Sequence, residues 1–316
     1  MQEKIIEAVS RVVKSGNLSS LHGTEVHNFE LEFKEYIGSD HAVAVNSGTA
    51  ALHTALLTLG IKPGDEVICP AWTFVATASA ILMCGAKPVF ADIEKDSFNI
   101  DPHDILDKVT TLTRAIIAVH IAGIPCEMDH IMGIAKEHGL FVIEDACQAL
   151  GSSYDGKKVG SIGDVGVFSF YPSKMISTGE GGMIVTNRNS TYRYSQAIRN
   201  HGQVGRYYSS TLGYNYRMTE IQGAMGRVTL SNIDEEIRRR NAKAHYIKQS
   251  ATNHIKWPIQ PKGADTAYSY FPVWFSDVQK YSEWYTPLYR MPMFDCKHTL
   301  PFTEFASKFG FVVPLL

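Results

Sequence analysis

Residues 166–187 read GVFSFYPSKMISTGEGGMIVTN. Two apolar runs, Val167–Phe170 and Met183–Thr186, have strand length and flank a turn of small residues. Between them stands one cation, Lys174. A lysine is ordinarily a solvated surface charge. Here the run before it is apolar, and the Ser-Thr-Gly-Glu-Gly-Gly turn after it calls for glycine rather than for a solvated face. A lysine held in a partly apolar site has a lowered pKa and can attack a carbonyl to form a Schiff base. Ser169, five residues earlier at the end of the first run, can reach a phosphate in such a site.

Upstream of this stretch, short apolar strands alternate with helices. Strands are expected at 42–45, 65–70, 87–93, 114–123 and 140–145. Helices are expected at 49–60, 73–85, 102–108 and 128–138, after two more at 2–14 and 26–38. This β-α-β-α order predicts an α/β fold, with a mostly parallel central sheet between helices. Beyond Thr186 the alternation stops. A helix is expected at 190–202, and a long one from near Thr219, dense in charge from Asp234 to Lys243, is suited to link two lobes. The tail, 251–316, is rich in aromatics and proline. The chain thus divides into a large domain, 1–237, and a small C-terminal α+β domain, 238–316.

Three further stretches carry candidate chemistry. In AVAVNSGTAALHTALL (42–57) a strand ends at Val45, and a Ser-Gly-Thr turn opens a helix. A helix N-terminus offers free N–H groups and positive dipole to a phosphate, and Gly48 allows close approach. Plain N-capping by Ser47 or Thr49 accounts for the same residues and is the commoner reading of the stretch alone. In LFVIEDACQALG (140–151) Asp145 falls at the carboxyl end of a central strand, where ligands of open α/β sheets bind. A buried carboxylate there calls for a cation, and a protonated ring nitrogen is one that fits; capping of the next helix is the alternative. Glu144, its neighbour, points to the other face of the strand. In CPAWTFVATASAI (69–81) Trp72 and Phe74 sit at a strand-to-helix junction, where a ring can stack on a flat ligand, although core packing is the commoner use. Together these are the parts for holding pyridoxal phosphate: a phosphate cradle, a carboxylate, an aromatic and a Schiff-base lysine.

Composition excludes several other classes. With 316 residues, 45% hydrophobic and 20% charged, the chain has the make-up of a soluble globular protein. A net charge of −2 makes no electrostatic case for nucleic acid or an anionic membrane. The five cysteines include no C-x-x-C pair, which argues against a zinc site or a disulfide framework and for a reducing compartment. No metal is expected. The N-terminal helix lacks the apolar core and cleavage site of a signal peptide, and no run of about 18 apolar residues occurs, so a cytoplasmic protein is expected. The absence of G-x-G-x-x-G disfavours a dinucleotide site.

At these residues the sequence resembles the DegT/DnrJ/StrS family of pyridoxal-phosphate aminotransferases. The resemblance rests on the segments 43–102, 142–187, RNHG (199–202) and LGYNYRMTEIQGAMG (212–226), in order, over roughly residues 5–250. It implies the fold-type-I aminotransferase fold and transfer of an amino group from glutamate to a nucleotide-linked keto-sugar, as in polysaccharide biosynthesis. Residue by residue, Lys174 matches the Schiff-base lysine, and Asp145 the carboxylate on the pyridine nitrogen. Gln148 matches the side chain near the cofactor's phenolic oxygen, and Phe74 the stacked aromatic. Gly48, Thr49 and Ser169 match the phosphate ligands. Asn215, and less firmly Arg217, match residues that reach the neighbouring subunit's phosphate, which implies a homodimer with shared active sites. A sugar dehydratase on this scaffold carries histidine in place of the lysine, so Lys174 speaks against it. A cyclic ketone as acceptor, or a non-catalytic relative, are the alternatives. Two departures stand out. Tyr171 occupies a position where the family usually has histidine or a small residue. The C-terminal region is also shorter, with only Val278–Trp284 between two recognisable segments.

Overall fold

The computed structural model describes residues 1–251, 253–275, 284–294, 296 and 299–315. The short spacer expected at Val278–Trp284 therefore lies outside the described residues, except for Trp284. Seven strands form one sheet: β1 (His41–Val45), β2 (Glu66–Pro70), β3 (Lys87–Ala91), β4 (Thr113–Val119), β5 (Phe141–Asp145), β6 (Val165–Ser169) and β7 (Gly182–Thr186). Their order is β1-β7-β6-β5-β4-β2-β3. The pairs from β6 through β3 are parallel, and β7 runs antiparallel to both β6 and β1. The exception comes from the stretch 166–187. Its two apolar runs pair with each other, Gly166 opposite Val185 and Ser169 opposite Gly182, and Lys174 lies in the connection between them.

Side chains alternate across each strand, so one strand feeds two cores. In β4, Ala115, Ile117 and Val119 pack towards α3 (Gly48–Thr58) and α4 (Ala76–Met83). Ile116 and Ala118 pack on the opposite face with Ile105 of α5 (Pro102–Asp107) and Ile131 of α6 (Met128–His138). On that same face, near β6 and β7, a cluster of Phe29, Phe33, Phe168 and Phe170 sits with ring centroids 5.0–5.8 Å apart. Phe29 and Phe33 come from α2 (Glu25–Ile37), which packs on α8 (Glu220–Leu230), as does α1 (Gln2–Ser15). This accounts for helices on both faces of the sheet.

Several expected elements are shorter than their sequence periodicity, among them the helices expected at 73–85 and 190–202, which run Ala76–Met83 and Asn189–Arg199. The long helix from Thr219 is two helices, α8 and α9 (Ile233–Ser250), with α7 (Asn189–Arg199) before them. The break falls at Ser231 and Asn232, side chains that compete with helical hydrogen bonding. The strand expected over 114–123 stops at Val119, because 121–123 form a single 3₁₀ turn in which Ala122 has φ +56°. After α9 the chain builds a second sheet from β8 (Ile255–Lys256), β9 (Tyr270–Phe275) and β10 (Gly310–Pro314), with α10 (Pro301–Phe309) beside it. Asp92, just past β3, receives the Phe302 and Thr303 N–H groups at 2.9 and 2.8 Å, fastening the start of α10 to the large sheet. No helix among the described residues is long and apolar enough to cross a membrane.

Candidate active site

At the carboxyl edge of the sheet the ends of β1, β5 and β6 and the start of β7 surround a cavity of about 470 Å³. Gly48, Thr49, Phe74, Asp145, Gln148, Ser169 and Lys174 all line it, as does Tyr171. Thr77, Cys147, Glu180, Tyr270 and Tyr285 also line it and were not singled out in the sequence. Asn215 does not line it; its carbonyl accepts from Asn46 Nδ2 at 3.3 Å, just before the start of α3.

One end of the cavity is the start of α3. Ser47 is its N-cap, with Oγ accepting from the Ala50 N–H at 3.1 Å, so the capping reading holds for this hydroxyl. Gly48 follows because nothing larger fits: a Cβ there would lie 2.8 Å from Ser169 Cβ. The glycine turn after Lys174 serves the same close approach. A Cβ at Gly182 would stand 2.5 Å from the Ser47 carbonyl. The first turn of a helix leaves its N–H groups without intrahelical acceptors. Here that turn, Gly48 and Thr49, lies beside the Ser169 hydroxyl at the cavity wall.

Asp145 and Glu144 divide as alternation along a strand requires. Asp145, 5% exposed, accepts from Thr77 Oγ1 at 2.9 Å and from the Cys147 N–H at 3.2 Å. Among the described residues no cation pairs with it. Glu144 is fully buried on the other face and accepts from the N–H groups of Gly160, Ile162 and Gly163, each at 2.7 Å. Its remaining partner is His120 Nε2 at 3.1 Å. Because His120 Nδ1 accepts from the Cys126 N–H at 3.0 Å, the ring proton sits on Nε2 and is donated to Glu144. The first carboxylate faces a ligand space; the second holds a loop.

Lys174 lies across the cavity, its peptide N–H donating to the Tyr171 carbonyl at 2.9 Å in a tight turn. No carboxylate pairs with it among the described residues. Burial, and then Asp145, push the Cys147 thiol well above its ordinary range, while Lys174 acts the other way; the thiol stays neutral. Gln148 is held at both ends. Its Oε1 accepts from the N–H of Ala122, the left-handed residue of that turn, at 3.0 Å, and its Nε2 donates to Tyr285 OH at 3.2 Å. Phe74 is 56% exposed at the rim, and Tyr171 50%. Trp72, by contrast, is wholly buried against Trp284 and Tyr285, so of the two aromatics at that junction it is the core residue.

The missed residues had unequal signals. Thr77 stands one helical turn after Phe74, on the helix that follows a central strand, and its facing was readable. Tyr270 and Tyr285 arrive from the tail, more than ninety residues after Lys174, and nothing local announces them.

Comparison with known proteins identifies the family and the fold. Residues 1–294 match the DegT/DnrJ/EryC1/StrS aminotransferase family. The chain is 44% identical over 229 residues to GDP-perosamine synthase of Caulobacter vibrioides, a match covering 72% of this chain and 62% of that protein. A GDP-perosamine synthase of Vibrio cholerae is 40% identical over 261 residues, covering 82% and 71%. The chain thus spans less than two thirds of the first relative's length. Among solved structures, S. venezuelae DesV in complex with a ketimine intermediate superposes with a TM-score of 0.93 at 33% identity, covering 99% of this chain and 89% of that one. The fold is that of the fold-type-I aminotransferases. The chain belongs to the DegT/DnrJ/EryC1/StrS aminotransferase family, whose cofactor is pyridoxal 5′-phosphate.

Proposed function

We propose that this protein is a pyridoxal-phosphate-dependent aminotransferase that moves an amino group from glutamate to a nucleotide-linked keto-sugar. The observation that carries the reading is the cavity in which Asp145 and Lys174, neither with an ion-pair partner among the described residues, share one space with the start of α3. These groups suit pyridoxal phosphate. A buried carboxylate without a cation is costly, and a protonated pyridine nitrogen satisfies it. A glycine that a Cβ would drive into Ser169 leaves the helix start open to a phosphate. The relatives named for nucleotide-linked sugars support the acceptor class.

In this reading Gly48, Thr49 and Ser169 bind the phosphate, and Phe74 covers one face of the ring. Asp145, its carboxylate oriented by Thr77 and the Cys147 N–H, keeps a proton on the ring nitrogen. Gln148, its Oε1 held by the Ala122 N–H and its Nε2 donating to Tyr285, would offer its second Nε2 proton to the ring's phenolic oxygen. When bound, the cofactor supplies the electron sink for cleavage of a C–H bond next to nitrogen. Lys174 Nζ takes that proton from the substrate carbon and returns it as general base and acid. Tyr171, half exposed at the rim, borders the sugar side. Asn215 serves the site of a second subunit, and residues 238–316, which begin within α9, form a smaller lobe beside the cofactor lobe.

The test is spectroscopic. Reconstituted protein is expected to be yellow, and glutamate is expected to bleach that colour as the aminated cofactor accumulates. A colourless protein, or a Lys174→Ala variant with the same visible band, overturns the lysine assignment. Bleaching by other amino acids but not by glutamate overturns the donor. A panel of keto-sugar nucleotides then reads the acceptor.

A further inference from the structure

Two ties join the small sheet to the turn that carries Lys174. Arg240, on α9 and 2% exposed, donates from Nη2 to the Lys174 carbonyl at 3.2 Å and from Nη1 to the Ser269 carbonyl at 2.8 Å. Its Nε donates to the Glu236 carboxylate at 2.6 Å. Tyr270, which opens β9, donates from its hydroxyl to Ser173 Oγ at 2.7 Å and lines the cavity. Ser173 and Lys174 are therefore held by side chains 97 and 66 positions later in the chain. The rigid fork of a guanidinium fixes the directions of its donors, so Arg240 sets the Lys174 carbonyl against the Ser269 carbonyl at the start of the small sheet.

We propose that Arg240 and Tyr270 are positioning residues for Lys174. Arg240 holds the Lys174 carbonyl and Tyr270 holds the Ser173 side chain beside it, so that Nζ faces the cavity and the lysine's placement depends on how the small sheet is seated. The proposal rests on the reading of Lys174 as the lysine that carries the cofactor. Attachment joins Nζ to the cofactor's aldehyde carbon through a C=N bond and releases one water. It depends on the approach of Nζ, whereas binding of the phosphate and ring depends on Gly48, Thr49, Ser169, Asp145 and Phe74. Pyridoxal phosphate does both; pyridoxamine phosphate, which has no aldehyde, only binds.

The experiment compares the two ligands on apoprotein of Arg240→Ala, Arg240→Lys and Tyr270→Phe. Attachment is followed by the visible band and by borohydride fixation located on Lys174 by mass. Affinity for pyridoxamine phosphate is read by fluorescence quenching. The expected result is attachment slowed roughly tenfold to a hundredfold, with pyridoxamine phosphate affinity unchanged within about twofold, as displacement of one reacting group implies. Arg240→Lys recovers part of the rate by restoring one donor. Unchanged attachment, or a parallel loss of both quantities, overturns the proposal, the second outcome marking a purely structural tie. If Arg240→Ala does not fold, Tyr270→Phe decides, since it removes one oxygen and leaves the ring. Attachment elsewhere than Lys174 in the wild-type protein instead overturns the underlying lysine assignment.

Discussion

At Asp145 two donors, a threonine hydroxyl and a peptide N–H, fix the carboxylate without neutralising it. The charge is left for a ligand, so Asp145→Asn should bind cofactor yet lose about 10²–10³ in kcat, the scale of an electrostatic group aimed at the reacting centre. Steady-state kinetics beside a cofactor titration checks this; a proportional loss of cofactor affinity and kcat would mean that the residue merely holds the site together. Gly48 makes the complementary case. A methyl there meets Ser169 Cβ at 2.8 Å, so Gly48→Ala must displace the start of α3, at roughly 1–3 kcal/mol of overpacking. Weaker pyridoxal phosphate binding with a modest drop in thermal midpoint is expected. Both residues were legible because each follows from a local rule: a carboxylate at a strand's end, a glycine at a helix start. The Tyr285–Gln148 bond was not legible, because it depends on where the tail returns.

At the scale of elements, strand alternation and helix periodicity revealed the succession of strands and helices and a mostly parallel sheet, but not the spatial order of its strands or the elements' caps and breaks. The split at Ser231–Asn232 and the turn at Ala122 are decided by single residues, to which a periodic pattern is blind. The placing of Glu144 away from the ligand followed from alternation, but its three N–H donors belong to a loop that only tertiary structure brings back. Glu144→Ala strands those donors and should cost at least about 3 kcal/mol, read by urea denaturation. Helix α3 carries a pH dependence. His53, 1% exposed with Nδ1 3.1 Å from Tyr216 OH, is lowered by burial from its ordinary 6.5, a backbone hydrogen bond at Met83 working the other way. The folded protein then binds fewer protons than the unfolded chain between that lowered value and 6.5. The contribution is complete above 6.5 and is lost as pH falls through the folded value. Denaturation midpoints across this window should fall with pH in the wild-type protein and flatten in His53→Gln; an unchanged slope in the variant counts against the assignment.

For the whole molecule, the arrangement of the cavity leaves Asn215 outside it, on a segment that bridges to Val45 at Arg217 and to Asn200 at Asn215. Its own side chain is therefore not spent on its own site. If each site of a homodimer borrows Asn215 from the other subunit, the two halves of the site can be broken on separate chains and repaired by mixing. Lys174→Ala removes the lysine from its own site, and Asn215→Ala removes a phosphate ligand from its partner's. A mixed dimer then holds one site with both residues missing and one with both present. Random exchange of the two inactive variants makes half the dimers mixed, so about one quarter of the wild-type sites should regain activity. Light scattering should report a dimer throughout, and subunit exchange can be driven with mild denaturant and stopped by dilution. Recovery near that fraction supports shared sites. No recovery, with mixed dimers verified by mass, means that Asn215 serves its own chain or none, and the shared-site reading falls.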